Sequence, residues 1–176
     1  MAEVRKGEVT MRNDPIDLVG PKLQAGDSAP DFTCVDTSMK LVSLKDTAGK
    51  VRLFSVVPSL DTPVCSLQTK HFSEKVNELG DKVTAFTVSL DLPFAMNRFC
   101  SDNKIANLVS LSDVHNKSFG EHYGVLISSL PIPLLARAIF VVDAHDKLTH
   151  VEIVPEIASE PNYDAALAAL RSAAGA

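Results

Sequence analysis

Among the side chains of this 176-residue chain, the three thiols Cys34, Cys65 and Cys100 are the ones best suited to covalent chemistry. Three is too few, and an odd number, for a secreted disulfide framework, so each is either a buried apolar residue or a reactive thiol. Cys65 ends the stretch Pro58-Ser59-Leu60-Asp61-Thr62-Pro63-Val64-Cys65. Thr62 suits a helix N-cap and Pro63 the first helical position, which puts Cys65 in a first turn. There the unpaired backbone N–H groups and the positive end of the helix dipole favour thiolate over thiol, and the thiolate is the nucleophile. A lone cysteine in a first turn is more often a small buried residue. Against that stand a rigid proline at each end of the turn and a hydroxyl three residues before the sulfur, the pattern of a held nucleophile. Cys34, between Thr33 and Val35, has no proline, cap or basic neighbour. It reads as a buried strand residue, and Cys34→Ser is expected to retain activity.

The elements that must position these thiols alternate strand and helix. The nearly continuous apolar run 51–57, stopped by Pro58, predicts a buried central strand. A helix follows from Thr62, with Leu67, Phe72, Val76 and Leu79 as its apolar face and Gly80 ending it. A second strand over 82–90 leads through Asp91-Leu92-Pro93 into a helix over 94–102, with Cys100 near its end. Strands are expected at 108–111, 138–142 and 148–154, a short helix at 117–123, and a terminal helix at 163–172. Residues 15–30, rich in Gly, Pro and Asp, suggest an irregular lead-in. This order is that of an α/β sandwich whose mixed sheet has its last strands antiparallel. In such sheets reactive groups gather where a strand's carboxyl end passes into the next helix, which is where Cys65 falls.

Pro58, Thr62 and Cys65 match the Pro-x-x-x-Thr-x-x-Cys motif of peroxiredoxins. Gly26-Asp27-Ser28-Ala29-Pro30-Asp31-Phe32 also resembles an early segment of that superfamily, and 91–100 resembles the resolving-cysteine segment of its thiol peroxidase subfamily, of atypical 2-Cys type. Further similarity covers 118–125, Ala136-Arg137-Ala138 and 160–167, nearly the whole chain. The resemblance implies a thioredoxin-like sandwich with a central mixed β-sheet flanked by helices and an N-terminal β extension. Residues 1–22 would form the extension, as a hairpin, and 23–176 a single domain. It further implies Cys65 as the peroxidatic cysteine, Thr62 as hydroxyl partner of the peroxide, Pro58 as a shield against water, and Arg137 completing the site. Without the resemblance, Arg137 would read as a solvated charge at a strand start. Cys100, by its residues alone a buried helix cysteine, becomes the thiol that closes an intramolecular disulfide onto Cys65. The implied activity is reduction of hydrogen peroxide and organic hydroperoxides in antioxidant defence. Thioredoxin would be the reductant, a homodimer the assembly, and no cofactor or metal would be needed. The two cysteines lie on successive helices, so one or both segments are expected to unwind in each cycle. Val114-His115-Asn116-Lys117 departs from the subfamily, which usually carries an Arg-Asp type segment there. The stretch 127–135 is also more apolar than the subfamily pattern, and the apolar run 126–135 reads as a core-lining loop or part of a dimer contact.

Composition excludes other classes. A net charge of −5, with no basic cluster, argues against nucleic acid and against a membrane surface. Residues 1–14 carry charges throughout and lack the apolar stretch of a secretory signal, so a cytoplasmic setting is expected. The five histidines have no metal-ligand spacing, and Asp61 and Asp91 read as turn or cap residues. Two rivals share the same thiols. A cysteine hydrolase would pair Cys65 with a histidine base, and a redox sensor would pass oxidation to a bound partner.

Overall fold

The computed structural model describes residues 2–175. A hairpin of β1 (Val4–Met11) and β2 (Asp14–Val19) comes first, followed by the short pair β3 (Thr33–Asp36) and β4 (Leu41–Ser43). Then come β5 (Val51–Val56), α1 (Pro63–Asn77), β6 (Val83–Ser89), α2 (Pro93–Asn103), β7 (Val109–Ser112) and α3 (Ser118–His122). The chain ends with β8 (Leu126–Ile127), β9 (Leu134–Leu135), β10 (Ala138–Val142), β11 (Leu148–Ile153) and α4 (Tyr163–Ala174). The central sheet has the order β11-β10-β5-β6-β7-β3-β4. Its middle strands β5, β6 and β7 run parallel and the outer pairings are antiparallel, giving the mixed sheet flanked by helices that the sequence predicts.

Burial on both faces accounts for the continuous apolar runs. Along β5, Leu53 joins one face, where Phe72 and Val76 of α1 pack with Ala166, Leu167 and Leu170 of α4. Phe54 and Val56 point to the other face, into a cluster of aromatic rings. There Phe119 stacks on Tyr123 with centroids 4.1 Å apart, and Phe32 meets Phe54 edge-on at 5.5 Å.

Three expectations are corrected. Residues 15–30 are not wholly irregular, because β2 places Ile16 and Leu18 in the core. The buried face of α1 carries Cys65, Gln68, Thr69, Phe72, Ser73 and Val76, while Leu67 is 55% exposed. A helix turning at 100° per residue cannot bury 67 together with 65, 68, 72 and 76, and the sulfur's face wins. The apolar stretch after α3 is not one loop either. β8 and β9 pair with each other, and β8 with β2, to extend the N-terminal hairpin into a second, four-stranded sheet.

That second sheet is fastened to the body by Arg5, whose buried guanidinium donates to the carbonyls of Gly20, Pro21 and Gly124 at 2.5, 2.6 and 2.7 Å. Glycine is required at 124. Its φ is +66°, and a Cβ there would lie 1.9 Å from the Pro21 carbonyl oxygen.

Candidate active site

Cys65 stands where the central strand becomes a helix. Past the end of β5, Val57 donates its N–H to the Val88 carbonyl at 3.0 Å, keeping the chain beside β6. Buried Pro58 then ends the ladder, having no N–H to give. The turn 59–62 follows, closed by the Thr62 N–H on the Ser59 carbonyl at 3.1 Å, and Pro63 opens α1. Thr62 occupies the N-cap position as expected, but its side chain does not cap. Its hydroxyl lies 2.6 Å from Cys65 Sγ and 3.1 Å from the Ser59 carbonyl. With a thiolate at Cys65, the single hydroxyl proton goes to the sulfur.

Arg137 reaches the same sulfur from the neighbouring strand. β10 pairs antiparallel with β5 in a register that sets Ala138 opposite Val56, so the residue before β10 lands beside the end of β5. Only 2% of Arg137 is exposed, which reverses what its sequence position alone suggests. Its Nη2 donates to Cys65 Sγ at 3.3 Å, its Nη1 to Gln68 Oε1 at 2.9 Å, and its Nε to the Ile157 carbonyl at 2.8 Å. Gln68 is held in turn by donating to Ser55 Oγ at 2.7 Å. Among the described residues no carboxylate forms a salt bridge with Arg137. A buried cation without a carboxylate partner thus points its remaining donor at the sulfur.

Above this sulfur opens a pocket of about 510 Å³ lined by Pro58, Thr62, Val64, Arg137, Ile157 and the hairpin-tip residue Met11 among others. Cys65 itself is 0% exposed and lies beneath the floor that Thr62 and Arg137 form. Glu156 fixes the pocket's far rim. Its carboxylate accepts the N–H groups of Arg12, Asn13 and Ala158 at 3.0–3.1 Å and the Thr10 hydroxyl at 2.8 Å. The Asn13 N–H foremost, then Ala158 and the Thr10 hydroxyl, hold this carboxyl down to about 2. The hairpin tip is thereby tied to the segment whose Ile157 carbonyl steadies Arg137.

The fold thus gathers Pro58, Thr62, Cys65 and Arg137 around one pocket and leaves Cys100 outside it. Cys100 is half-buried on α2, with Sγ 3.3 Å from Ser110 Oγ, beside a separate cleft that includes Asn97, Ser101 and Lys104. Met96 and Phe99 of α2 pack with Cys65, Val57 and Leu60, so an apolar layer from the same helix covers the first thiol. All three cysteines are free.

Two contributors escape the sequence reading. Gln68 had a signal, since a polar residue three positions after Cys65 must share its buried face. Glu156 had none, because its partners at 10, 12 and 13 are brought to it only by the fold. The sulfur's polar partners, Thr62 and Arg137, include no histidine among the described residues. That removes the base a cysteine hydrolase requires; His71 instead stacks on Tyr163 at 4.0 Å.

The Redoxin family profile matches residues 24–167. A thiol peroxidase of Listeria innocua is 46% identical over 94% of this chain and 99% of its own, and one of Bacillus subtilis is 44% identical over 94% and 97%. In three dimensions, the chain superimposes on a peroxiredoxin-like protein from Aquifex aeolicus with a TM-score of 0.87 at 38% identity, covering 95% of this chain and 98% of that one. It also shares the fold of a thiol peroxidase from Chromobacterium violaceum, with a TM-score of 0.84 at 20% identity, over 93% and 95% of the two chains. With most of its length matched by the profile and by relatives of this kind, the chain belongs to the Redoxin family, in the thiol peroxidase subfamily of peroxiredoxins.

Proposed function

We propose that this protein is a thiol-dependent peroxidase, with Cys65 as nucleophile and residues 23–176 as the catalytic domain that carries the extension 1–22. The observation that carries the reading is the buried sulfur of Cys65 between the Thr62 hydroxyl at 2.6 Å and the Arg137 guanidinium at 3.3 Å. A peroxide offers no charged handle, so the protein must supply an ionised sulfur and donors for the oxygen that leaves.

The Cys65 thiolate attacks one peroxide oxygen, the O–O bond breaks, and the departing hydroxide or alkoxide takes up a proton. Cys65 is left as a sulfenic acid. Thr62 and Arg137, both on the pocket wall, are placed to orient the peroxide and to bear the charge growing on the leaving oxygen. Pro58 presents an apolar wall without an N–H and limits water at the sulfur. Cys100 then attacks the sulfenic sulfur, water leaves, and the Cys65–Cys100 disulfide forms. A thioredoxin dithiol returns both cysteines to thiols and becomes a disulfide itself. Hydrogen peroxide and organic hydroperoxides are the substrate class, a homodimer is the assembly we propose, and the need for a reducing partner suits a cytoplasmic enzyme. No described helix is long and apolar enough to cross a membrane.

The test is mass mapping after one equivalent of peroxide, together with steady peroxide consumption by the full chain and a thioredoxin system. The expected result is Cys65 joined to Cys100 within one chain, Cys34 free, and sustained turnover. A protein that takes up oxidation once and then stops would be a sensor and not a peroxidase.

A further inference from the structure

We propose that Asp91 is a positioning residue that clasps the Cys65 turn to the start of the Cys100 helix, and so sets how the Cys65 sulfenic acid divides between disulfide and sulfinic acid. This inference rests on the peroxidase reading above. Asp91 lies two residues before Pro93, the first residue of α2, and nine before Cys100. Its Oδ1 accepts the Ser59 hydroxyl at 2.8 Å, and its Oδ2 accepts the Leu60 N–H at 2.8 Å and the Ser89 hydroxyl at 2.7 Å. Ser59 and Leu60 belong to the turn whose Ser59 carbonyl receives the Thr62 N–H. Behind Asp91, its own carbonyl accepts the Ser112 hydroxyl at 2.6 Å, which pins it to the end of β7. Among the described residues, Asp91 makes the side-chain hydrogen bonds that join the turn 59–62 to the lead-in of α2; the remaining link there is the apolar cluster of Leu60, Cys65, Met96 and Phe99.

A turn-capping aspartate, which is what the sequence suggests, would satisfy N–H groups of its own loop. Asp91 accepts the hydroxyl of nearby Ser89, but both of its oxygens also reach an element 31 and 32 residues away. The closed arrangement that it holds keeps Thr62 and Cys65 in register for the first step. Disulfide closure needs the two Cα atoms within about 7 Å, and Met96 and Phe99 must leave the sulfur for that to happen. While the clasp holds, the sulfenic acid waits, and a second peroxide can convert it to sulfinic acid with release of water or alcohol. Weakening the clasp shifts the balance toward the open form.

The experiment treats the full chain and Asp91→Asn with excess peroxide and measures, by mass spectrometry, the ratio of Cys65–Cys100 disulfide to Cys65 sulfinic acid. Losing the charge from bonds of this type corresponds to a rise in that ratio of about tenfold in the variant. A general loss of stability would favour opening as well, so the urea midpoint is measured beside the ratio, and a rise that an equally destabilised control variant away from the clasp reproduces would overturn the proposal. An unchanged or lowered ratio would overturn the proposal. Ser59→Ala removes one arm only and should raise the ratio two- to threefold, roughly, by the same scale; if Asp91→Asn fails to fold, Ser59→Ala decides in its place. Wild-type protein that forms no Cys65–Cys100 disulfide would instead remove the peroxidase reading, whatever the variant does.

Discussion

Cys65 and Cys34 are both 0% exposed, and burial alone would make them the same residue. Their neighbours make them opposites. Cys65 faces a hydroxyl and a guanidinium, two donors, one of them positively charged. Cys34 faces the carboxylate of Asp113, with Sγ 3.7 Å from Oδ1, and can only donate. Burial first, and then the Asp113 charge, push the Cys34 thiol far above its ordinary range. The difference teaches that a reactive thiol is made by the sign of what surrounds it more than by access to solvent.

The sharpest way to break this comparison is to exchange the two thiols' fates. Cys65→Ser should abolish peroxide turnover, while Cys34→Ser, whose hydroxyl can still donate to Asp113, should stay within about twofold of wild type in the same assay. Next in size is Arg137→Ala. Loss of the buried cation should lower the rate of Cys65 oxidation about 10²- to 10³-fold in stopped-flow measurements, and an unchanged rate would remove Arg137 from the site. Gln68→Ala frees one edge of the guanidinium while leaving it charged. A fall of about tenfold is expected, with Arg137 still present.

An effect away from turnover concerns the carboxylates and is read in stability against pH. Asp113 is raised to about 6, by burial first, even though the N–H groups of Phe119 and Gly120 at 3.0 and 2.8 Å oppose the shift. Between its ordinary value of 3.8 and 6 the folded chain holds a proton that the unfolded chain has lost, so this contribution to stability falls as pH rises through that window, by about 3 kcal/mol. Glu156 has the opposite sign. Its folded value is depressed, so its stabilisation is present above 4.5 and is lost as pH falls toward about 2. Urea unfolding from pH 4 to 7 should show the first slope in wild type and lose it in Asp113→Asn. Glu156→Gln should weaken the protein near neutral pH and not below pH 2.

Much of the site was legible in local order. Thr62, Pro63 and Cys65 lie within one turn, and a capping rule together with a short motif identifies them. The central strands were legible for the same reason, since burial on both sheet faces writes itself as an unbroken apolar run. What local order does not give depends on register. Arg137 is reached in the sequence only through the resemblance of Ala136-Arg137-Ala138, and it comes to the sulfur because β10 pairs with β5 at Val56. Glu156 and Asp91 are further cases. Each carboxylate serves an element far along the chain, so local rules assign Asp91 a turn role and Glu156 none.

The Thr62 side chain has one more consequence. An N-cap hydroxyl ordinarily secures the first turn of its helix, worth about 1 kcal/mol, and in α4 the Asn162 side chain does this by accepting the Ala165 N–H at 3.1 Å. Thr62 gives that stabilisation up to serve the sulfur, and α2, which starts at Leu92 and Pro93, has no side-chain cap either. Both thiol-bearing helices therefore begin without a side-chain cap, as does the short α3, while α4, which packs against the sheet, begins with one. The hydroxyl that readies the sulfur is thus withdrawn from the first turn of its own helix, which is held there by Pro63 and by backbone bonds alone.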